Sequence, residues 1–454
     1  MKKSPMNPLI VVLGATGTGK SQLAVELATR HNGEIINGDA MQMYDGLPIV
    51  TNKITAEEQK GVPHHLLGFV PLDEEAWRVG MFKERASKII KEIRSRGRLP
   101  IVVGGTHYYT QSLLFEDFLV TEKPDIEDEA SGGDSSRKES FPILDGPTEA
   151  IVQKLREVDP VMADHWHPNE RRKLRRSLEI FLTTGKKASD IYEEQKQRKK
   201  SNKSISLDGE FDSQSAIAKG STLLFWVYSD AEILKRRLDS RIDGMIHMGL
   251  LDEVKSMDNF LWTRKDAGID TDLTRGIWVS IGWKEFEQYL QALKSRSASP
   301  EELAKLYDLS VERTKAATRQ YAKRQVRWIR LKLMTALLDE DSLDKLYLLD
   351  GSDLTKWETA VSNPAIDITA RFLEGSDLPS SNELSRAAKE VLSLNVLSQE
   401  TKDTSFRREC EICHVTAVVE HQWLTHLKSR RHRALEKRRL RNSTNSRSKE
   451  DNDS

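Results

Sequence analysis

A short apolar run, Leu9-Ile-Val-Val-Leu13, leads into Gly14, Ala15, Thr16, Gly17, Thr18, Gly19, Lys20 and Ser21. Helix formers follow, with Leu23, Ala24, Leu27 and Ala28 at helical spacing. A strand, a glycine loop and a helix in that order are the setting that G-x-x-x-x-G-K-[ST] requires. Successive backbone N–H groups and the helix N-terminus cradle a di- or triphosphate there. Lys20 neutralises phosphate charge, and the Ser21 hydroxyl can reach Mg²⁺. The bland alternative, an incidental Gly-rich turn, has to explain away both flanking elements.

The rest of the first 120 residues extends this start. Glu34-Ile-Ile-Asn37 reads as a strand ending at Gly38-Asp39, a helix spans about Val79 to Gly97, and Leu99-Pro-Ile-Val-Val103 runs into Gly104-Gly105-Thr106. Continuous apolar strands alternating with helices predict an α/β fold with a doubly wound parallel sheet, covered on both faces. The pattern breaks near Val120. Five acids (Glu122, Asp125, Glu127, Asp128, Glu129) and a Gly-Gly-Asp-Ser-Ser run read as an exposed loop. A helical block from Thr148 to Tyr192 and a polar stretch to Gly220 come next, and Thr222-Leu-Leu-Phe-Trp-Val-Tyr228 returns to strand pattern.

The expected organisation is a P-loop α/β core in residues 1–120 and 221–340, interrupted by an inserted helical domain at 121–220. A loose connector at 341–406, a C-terminal module at 407–441 and a disordered tail at 442–454 complete it. Two cysteines exclude a disulfide scaffold and fit a reducing compartment, and no apolar run is long enough for a membrane span. The reading is therefore a soluble, cytoplasmic protein, with nuclear and mitochondrial pools left open; a monomer is the expectation, and the sequence leaves the oligomeric state unsettled.

Both cysteines fall in Cys410-x2-Cys413-x12-His426-x5-His432, the ligand spacing of a two-Cys two-His zinc finger. Val418, Trp423, Leu424 and Leu427 are its candidate core, too small to fold without metal. Between Gln422 and Arg441 lie Lys428, Arg430, Arg431, Arg433, Lys437, Arg438, Arg439 and Arg441 against one acid, Glu436. That excess suits nucleic acid or a nuclear import signal, although the whole chain balances 70 basic against 70 acidic residues. Two more basic stretches stand out. Arg171-Arg-Lys-Leu-Arg-Arg176 has apolar Leu174, Leu178 and Phe181 on its other side. Arg319, Lys323, Arg327 and Arg330 share a helix face near Tyr321 and Trp328. Phosphate contact and base stacking are one reading, and a solvated face with aromatic core anchors is the other.

Phosphate chemistry is undecided at this level. A nucleotide hydrolase or kinase wants an acid at a second strand end, yet the run to Val103 ends in Gly104-Gly105-Thr106. Asp39 is the available carboxylate, as a metal organiser, a general base, or a turn residue before Met41. A P-loop kinase or NTPase, and a non-catalytic RNA-binding protein, both stay open on these residues.

Several motifs in order resemble the tRNA dimethylallyltransferase family. They are Gly14 to Ser21, Asp39-Ala-Met-Gln-Met-Tyr44, Pro63-His-His-Leu66, Val102-Val-Gly-Gly-Thr-His-Tyr-Tyr109, Arg237-Leu-Asp-Ser-Arg241, Ile281-Gly-Trp-Lys-Glu285 and Arg319-Gln-Tyr-Ala-Lys-Arg-Gln325 with Trp328. The likeness runs from Leu9 to Leu333, and the appended finger is similar to the eukaryotic form. It implies transfer of a dimethylallyl group from dimethylallyl diphosphate to the exocyclic amine of the adenosine just 3′ of a tRNA anticodon, with release of diphosphate. It implies that the phosphate loop holds an allyl donor, that Asp39 is the catalytic aspartate, and that Arg241 attends the diphosphate. Thr106 would attend the RNA substrate and reaction channel. Asp39, Ala40, Met41 and Gln42, the stretch Arg172, Lys173, Leu174, Arg175 and Arg176, and Arg319, Gln320, Lys323, Arg324 and Gln325 would meet tRNA. Mg²⁺ would serve catalysis and Zn²⁺ the finger. Ala40 departs from the family's common serine, so a hydroxyl is missing there or supplied from elsewhere.

Overall fold

The computed structural model describes residues 4–74, 76–115, 141–194, 197, 221–295, 298–392, 408–413, 415–417, 420–430 and 432–437. The expected acidic loop, most of the 195–220 stretch, His414, Val418, Arg431 and the chain from 438 onward lie outside these residues. Contacts divide the chain into two compact units, 1–119 with 212–398, and 120–211 with 399–454.

The first unit is built on six parallel strands in the order β3-β2-β4-β1-β5-β6. They are β1 (Leu9–Gly14), β2 (Gly33–Asn37), β3 (His64–His65), β4 (Leu99–Val103), β5 (Thr222–Tyr228) and β6 (Leu346–Asp350). Alternate side chains partition between two cores. Leu9, Val11, Leu13, Ile36, Val102, Leu224, Trp226 and Leu348 face one, and Ile10, Val12, Ile35, Ile101, Phe225, Val227, Tyr347 and Leu349 the other. Both faces are covered, which explains why the strands read as unbroken apolar runs. Chain order reverses about β1, so the carboxyl ends of β1, β4 and β2 border the crevice where open α/β sheets bind ligands.

Helices α1 (Lys20–Arg30), α2 (Val79–Ser95) and α3 (His107–Leu114) follow β1, β3 and β4. In the second unit, α4 (Thr148–Val158), α5 (Pro160–His165) and α6 (Arg171–Thr184) close on their own small core of Leu144, Ile151, Leu155, Met162, Leu174 and Leu178. After β5 the first unit continues with α7 (Ala231–His247), α8 (Leu250–Asp266), α9 (Trp283–Ser295) and the 29-residue α10 (Pro300–Trp328). A capping box of Ser299 and Glu302 starts α10. Its buried stripe, Ser310, Thr314, Thr318, Ala322 and Gln325, is small or polar rather than apolar. The hydroxyls of Ser310, Thr314 and Thr318 donate to the carbonyls four residues back, so each is satisfied inside the helix.

The connector expected at 341–406 is corrected by β6, which pairs with β5 from Leu224↔Leu346 to Tyr228↔Asp350 and completes the sheet. The catalytic core therefore does not end near 340. After β6, α12 (Asn363–Glu374) buries Ile368 and Phe372, and α13 (Arg386–Leu392) buries Val391 and Leu392; α11 (Met334–Asp339) precedes the strand. The finger region has β7 (Arg408–Glu409) antiparallel to β8 (Thr416–Ala417), followed by α14 (Glu420–Leu427). Among the described residues no helix is long and apolar enough to cross a membrane.

Candidate active site and metal cluster

The loop after β1 meets the start of α1, whose first turn has no side-chain cap and no acid. Its orphan N–H groups, at the positive end of the helix, are open to an anion. Lys20 Nζ donates to the Ala15 carbonyl at 2.7 Å, and the Thr18 hydroxyl donates to the same oxygen at 2.9 Å. Thr18 is buried, and its hydroxyl is spent on that carbonyl. Burial pushes the Lys20 ammonium down to about 8, opposed by the charge of Asp39 and assisted by that of Arg241. Arg241, on α7, donates from Nη1 to Thr16 Oγ1 at 2.9 Å. Burial lowers it to about 10, although Asp39 pulls the other way, and its buried Nε has no hydrogen-bond acceptor among the described residues. A desolvated guanidinium with an orphan donor, touching a phosphate loop, is a site built for a negative ligand. His107, pushed down to about 3 chiefly by burial, adds no charge.

Asp39 follows the carboxyl end of β2. Buried Asn37 donates from Nδ2 to the carbonyls of Asp39 (3.0 Å) and Leu66 (2.9 Å) and accepts the Asp39 N–H at 3.1 Å, fixing the turn. Asp39 Oδ1 accepts the Met41 N–H at 3.0 Å, so the turn-residue geometry is real. It does not exhaust the carboxylate. Desolvation raises the Asp39 pKa, against the opposing pull of the Met41 N–H, Lys20, and the Gln42 and Gly105 N–H groups. Asp39 is only partly exposed, and desolvation by the surrounding protein sets the sign of the shift.

The loop after β4 approaches this turn because it has no side chains. A Cβ on Gly104 would fall 2.2 Å from the Gly38 carbonyl carbon, and one on Gly105 would fall 2.9 Å from Asp39 Oδ2. The Thr106 hydroxyl accepts the Ala40 N–H at 3.0 Å, which ties the β4 loop to the Asp39 turn. The loop carries no acid of its own, and the carboxylate beside it is that of Asp39. Met41 is half-buried against the core, and Gln42 donates from Nε2 to the carbonyls of Thr51 (3.3 Å) and Asn52 (2.8 Å).

Two sequence assignments are corrected here. Gln325, expected to meet tRNA, is 4 % exposed. Its Oε1 accepts the Thr16 N–H at 2.8 Å and its Nε2 donates to the Gly105 carbonyl at 2.8 Å, so it ties the phosphate loop to the β4 loop. The same bond takes Thr16's N–H out of the anion cradle. Leu174 is wholly buried in the core of the helical unit and presents nothing to an RNA. Tyr321, one turn before Gln325, donates to the Gly105 carbonyl at 3.4 Å and is raised by burial first and by the charge of Asp39 second.

The cations split into tied and open groups. Arg171 donates to the Leu144 and Gly146 carbonyls, Arg175 to the Leu144 carbonyl and Asp145, and Arg176 to Glu179. Lys173 pairs with Glu170 and lies 4.6 Å from the Trp166 ring centre. Arg172 is exposed and has no ion pair among the described residues. On α10, Arg319 pairs with Asp239, while Gln320, Lys323, Arg324 and Arg327 are exposed. Trp328 donates from Nε1 to Gln111 Oε1 at 2.9 Å and meets Tyr108 edge to face, an anchoring role.

In the finger region, one ligand atom from each of Cys410, Cys413, His426 and His432 lies within 4.8 Å of the others. The sulfurs are 3.7 Å apart, and His432 Nδ1 is 3.5 Å from Cys410 Sγ and 3.3 Å from Cys413 Sγ. A tetrahedral site with metal–sulfur bonds of 2.3 Å holds its sulfurs about 3.8 Å apart, so this set could bind zinc.

Comparison with known proteins places this geometry. The family model for IPP transferase matches residues 42–332. The tRNA dimethylallyltransferase of Schizosaccharomyces pombe is 37 % identical over 444 residues, covering 96 % of each chain. That of Homo sapiens is 33 % identical, covering 95 % of this chain and 86 % of its own length. A crystal structure of a eukaryotic dimethylallyltransferase acting on tRNA superposes with a TM-score of 0.75 at 35 % identity, covering 97 % of this chain and 99 % of that one. A cradle with two buried cations, one carboxylate beside it and no acid at the β4 end is therefore found in a chain that belongs to the IPP transferase family, among the tRNA dimethylallyltransferases.

Proposed function

We propose that this protein transfers a dimethylallyl group from dimethylallyl diphosphate to the exocyclic amine of the adenosine 3′-adjacent to a tRNA anticodon. The observation that carries the reading is the pairing of Asp39 with an anion cradle whose cations, Lys20 and Arg241, are both desolvated. An aromatic amine is a weak nucleophile because its lone pair is delocalised. As its nitrogen bonds to the allylic carbon, the carbon–oxygen bond to diphosphate breaks and Asp39 accepts the amine proton. Burial, by raising the basicity of Asp39, suits it to that role.

Negative charge gathers on the leaving diphosphate, where the α1 N-terminus, Lys20 and the free Nε of Arg241 stabilise it more in the transition state than before it. Ser21, the second residue of α1, would hold Mg²⁺ together with the donor's own oxygens, since this ion keeps several waters and needs few protein ligands. When bound, Mg²⁺ would offset diphosphate charge. The target base must leave its stack to reach Asp39. The loop after β4 adds no acid of its own to orient a water, and Asp39 beside it is engaged with the amine proton, which suits transfer over hydrolysis. Exposed Arg172, Lys323, Arg324 and Arg327 are among the described cations that can meet RNA phosphates. Nucleoside mass spectrometry of tRNA from cells lacking the protein tests this reading: the dimethylallyl-adenosine peak should vanish and return with the wild-type gene. An unchanged peak would contradict it.

Lys20 gives a pH signature. Because burial lowers its pKa to about 8, the empty cradle loses a positive charge as pH rises through 8. The kcat/KM for the donor should fall across that range. kcat should stay level there, because a bound diphosphate holds Lys20 protonated. A stopped pH titration of both constants checks this, and parallel loss of the two would remove Lys20 from donor capture.

The cluster of Cys410, Cys413, His426 and His432 would hold structural zinc, whose binding supplies most of the finger's folding free energy. Cys410→Ser should therefore unfold the finger and leave turnover of short anticodon-arm substrates near normal. Binding of full-length tRNA should weaken and its salt dependence flatten, because Lys428, Arg430 and Arg433 no longer displace counterions. Equal affinity and equal salt slope would mean that the finger does not touch this RNA.

A further inference from the structure

Beyond β6 the chain makes one contact with the cradle and one with the helix behind it, neither of which a phosphate loop itself requires. Trp357, 7 % exposed, lies over Gly19. A Cβ on that glycine would fall 2.5 Å from the indole Cη2. Gly19 has φ +93, a left-handed conformation with no side chain to define it, so its geometry depends on what packs against it. The indole cannot slide, because its Nε1 donates to the Glu26 carboxylate on α1 at 3.1 and 3.2 Å. The second contact reaches α7, the helix that carries Arg241. The carbonyls of Gly351 and Ser352 accept from Arg237 at 2.8 and 2.5 Å. Arg237 shares a face of α7 with Arg241, four residues on, and Arg241 donates to Thr16.

We infer that Trp357 is a positioning residue for the diphosphate loop: its indole fixes Gly19, and through it the first turn of α1 where the donor's diphosphate binds. The segment from Gly351 to Trp357 thus clasps Gly19 directly and α7 through Arg237, one turn before the Arg241 that meets Thr16. The identity of the ligand as an allyl diphosphate rests on the functional reading above; the clasp itself is a matter of diphosphate geometry.

In the full-length protein, Trp357→Ala should raise the KM for dimethylallyl diphosphate roughly tenfold, since sub-ångström placement of binding groups carries effects of that order. The KM for tRNA should stay within about twofold. Calorimetric titration with inorganic diphosphate, without tRNA, should show the same weakening. Trp357→Phe keeps a ring over Gly19 and loses only the N–H to Glu26, so it should recover most of the affinity. Should the alanine variant fail to fold, Trp357→Leu, which keeps apolar bulk without a flat ring, takes its place with the same expectation. An unchanged donor KM and diphosphate affinity would overturn the inference, as would donor and tRNA KM values rising together. A parent enzyme that transfers no allyl group would sink the functional reading, yet the diphosphate titration would still decide the role of Trp357.

Discussion

Asp39→Asn should slow allyl transfer by roughly 10²–10⁴-fold, the range expected when a general base is lost, while the KM for dimethylallyl diphosphate changes little. The carboxamide oxygen can still accept the Met41 N–H, and Asn37 still holds the turn from the other side, so the loop should keep its shape. What disappears is the proton acceptor. The pH profile of kcat gives the same residue a second test. A protonated Asp39 cannot take the amine proton, so the parent's rate should fall as pH drops through its pKa. Because burial raises that pKa, the fall should begin above the ordinary aspartate range. The acid limb should be absent from the Asn variant. A near-normal rate would reduce Asp39 to its turn-capping bond.

Lys20→Ala should fail differently, with kcat/KM for the donor down by roughly 10²–10³-fold, the loss typical of removing one preorganised donor from a developing anion. Both constants should move, because Lys20 meets diphosphate charge before the reaction and meets more of it as the carbon–oxygen bond breaks. The Ala15 carbonyl would keep the Thr18 hydroxyl as a donor, which limits collateral damage to the loop. The decline of kcat/KM above pH 8 should vanish with the lysine. Steady-state kinetics with donor and anticodon arm varied separately would read this. An effect confined to tRNA would place the lysine outside the donor site.

Much of the sheet was legible because buried parallel strands advertise themselves. Leu9 to Leu13, Leu99 to Val103 and Thr222 to Tyr228 are apolar on consecutive residues, and each feeds a glycine loop or a helix. β6 was hidden for the opposite reason. Leu346-Tyr-Leu-Leu349 is only four residues long between charged neighbours, too short for periodicity to separate strand from helix or loop. The buried face of α10 was misleading in another way. Ser310, Thr314 and Thr318 look like a solvated stripe until the i−4 carbonyls that satisfy their hydroxyls are seen.

The same limit applies to the site. The phosphate loop, Asp39 and Thr106 follow from strand ends and motif order, and the sheet brings those ends together. Gln325 could not be placed from its basic neighbourhood, because its two bonds join loops about 220 and 309 residues away in sequence. A glutamine on the line Ser310, Thr314, Thr318, Ala322 was the available signal, since that line is the inner face of α10. Asn37 offered a weaker one, as an amide at the end of an otherwise apolar strand. Leu174 was misassigned with its basic neighbours, although the helical period already set it with Leu178 on the inner face.

The most direct measurement is transfer itself. Purified full-length protein with Mg²⁺, isotopically labelled dimethylallyl diphosphate and an anticodon stem-loop carrying adenosine at the target position should yield one labelled dimethylallyl group on that adenosine's exocyclic nitrogen for each diphosphate released. ATP should neither replace the donor nor be hydrolysed above background. Hydrolysis of ATP with no label on the RNA would contradict the account and make the phosphate loop that of a nucleotide enzyme.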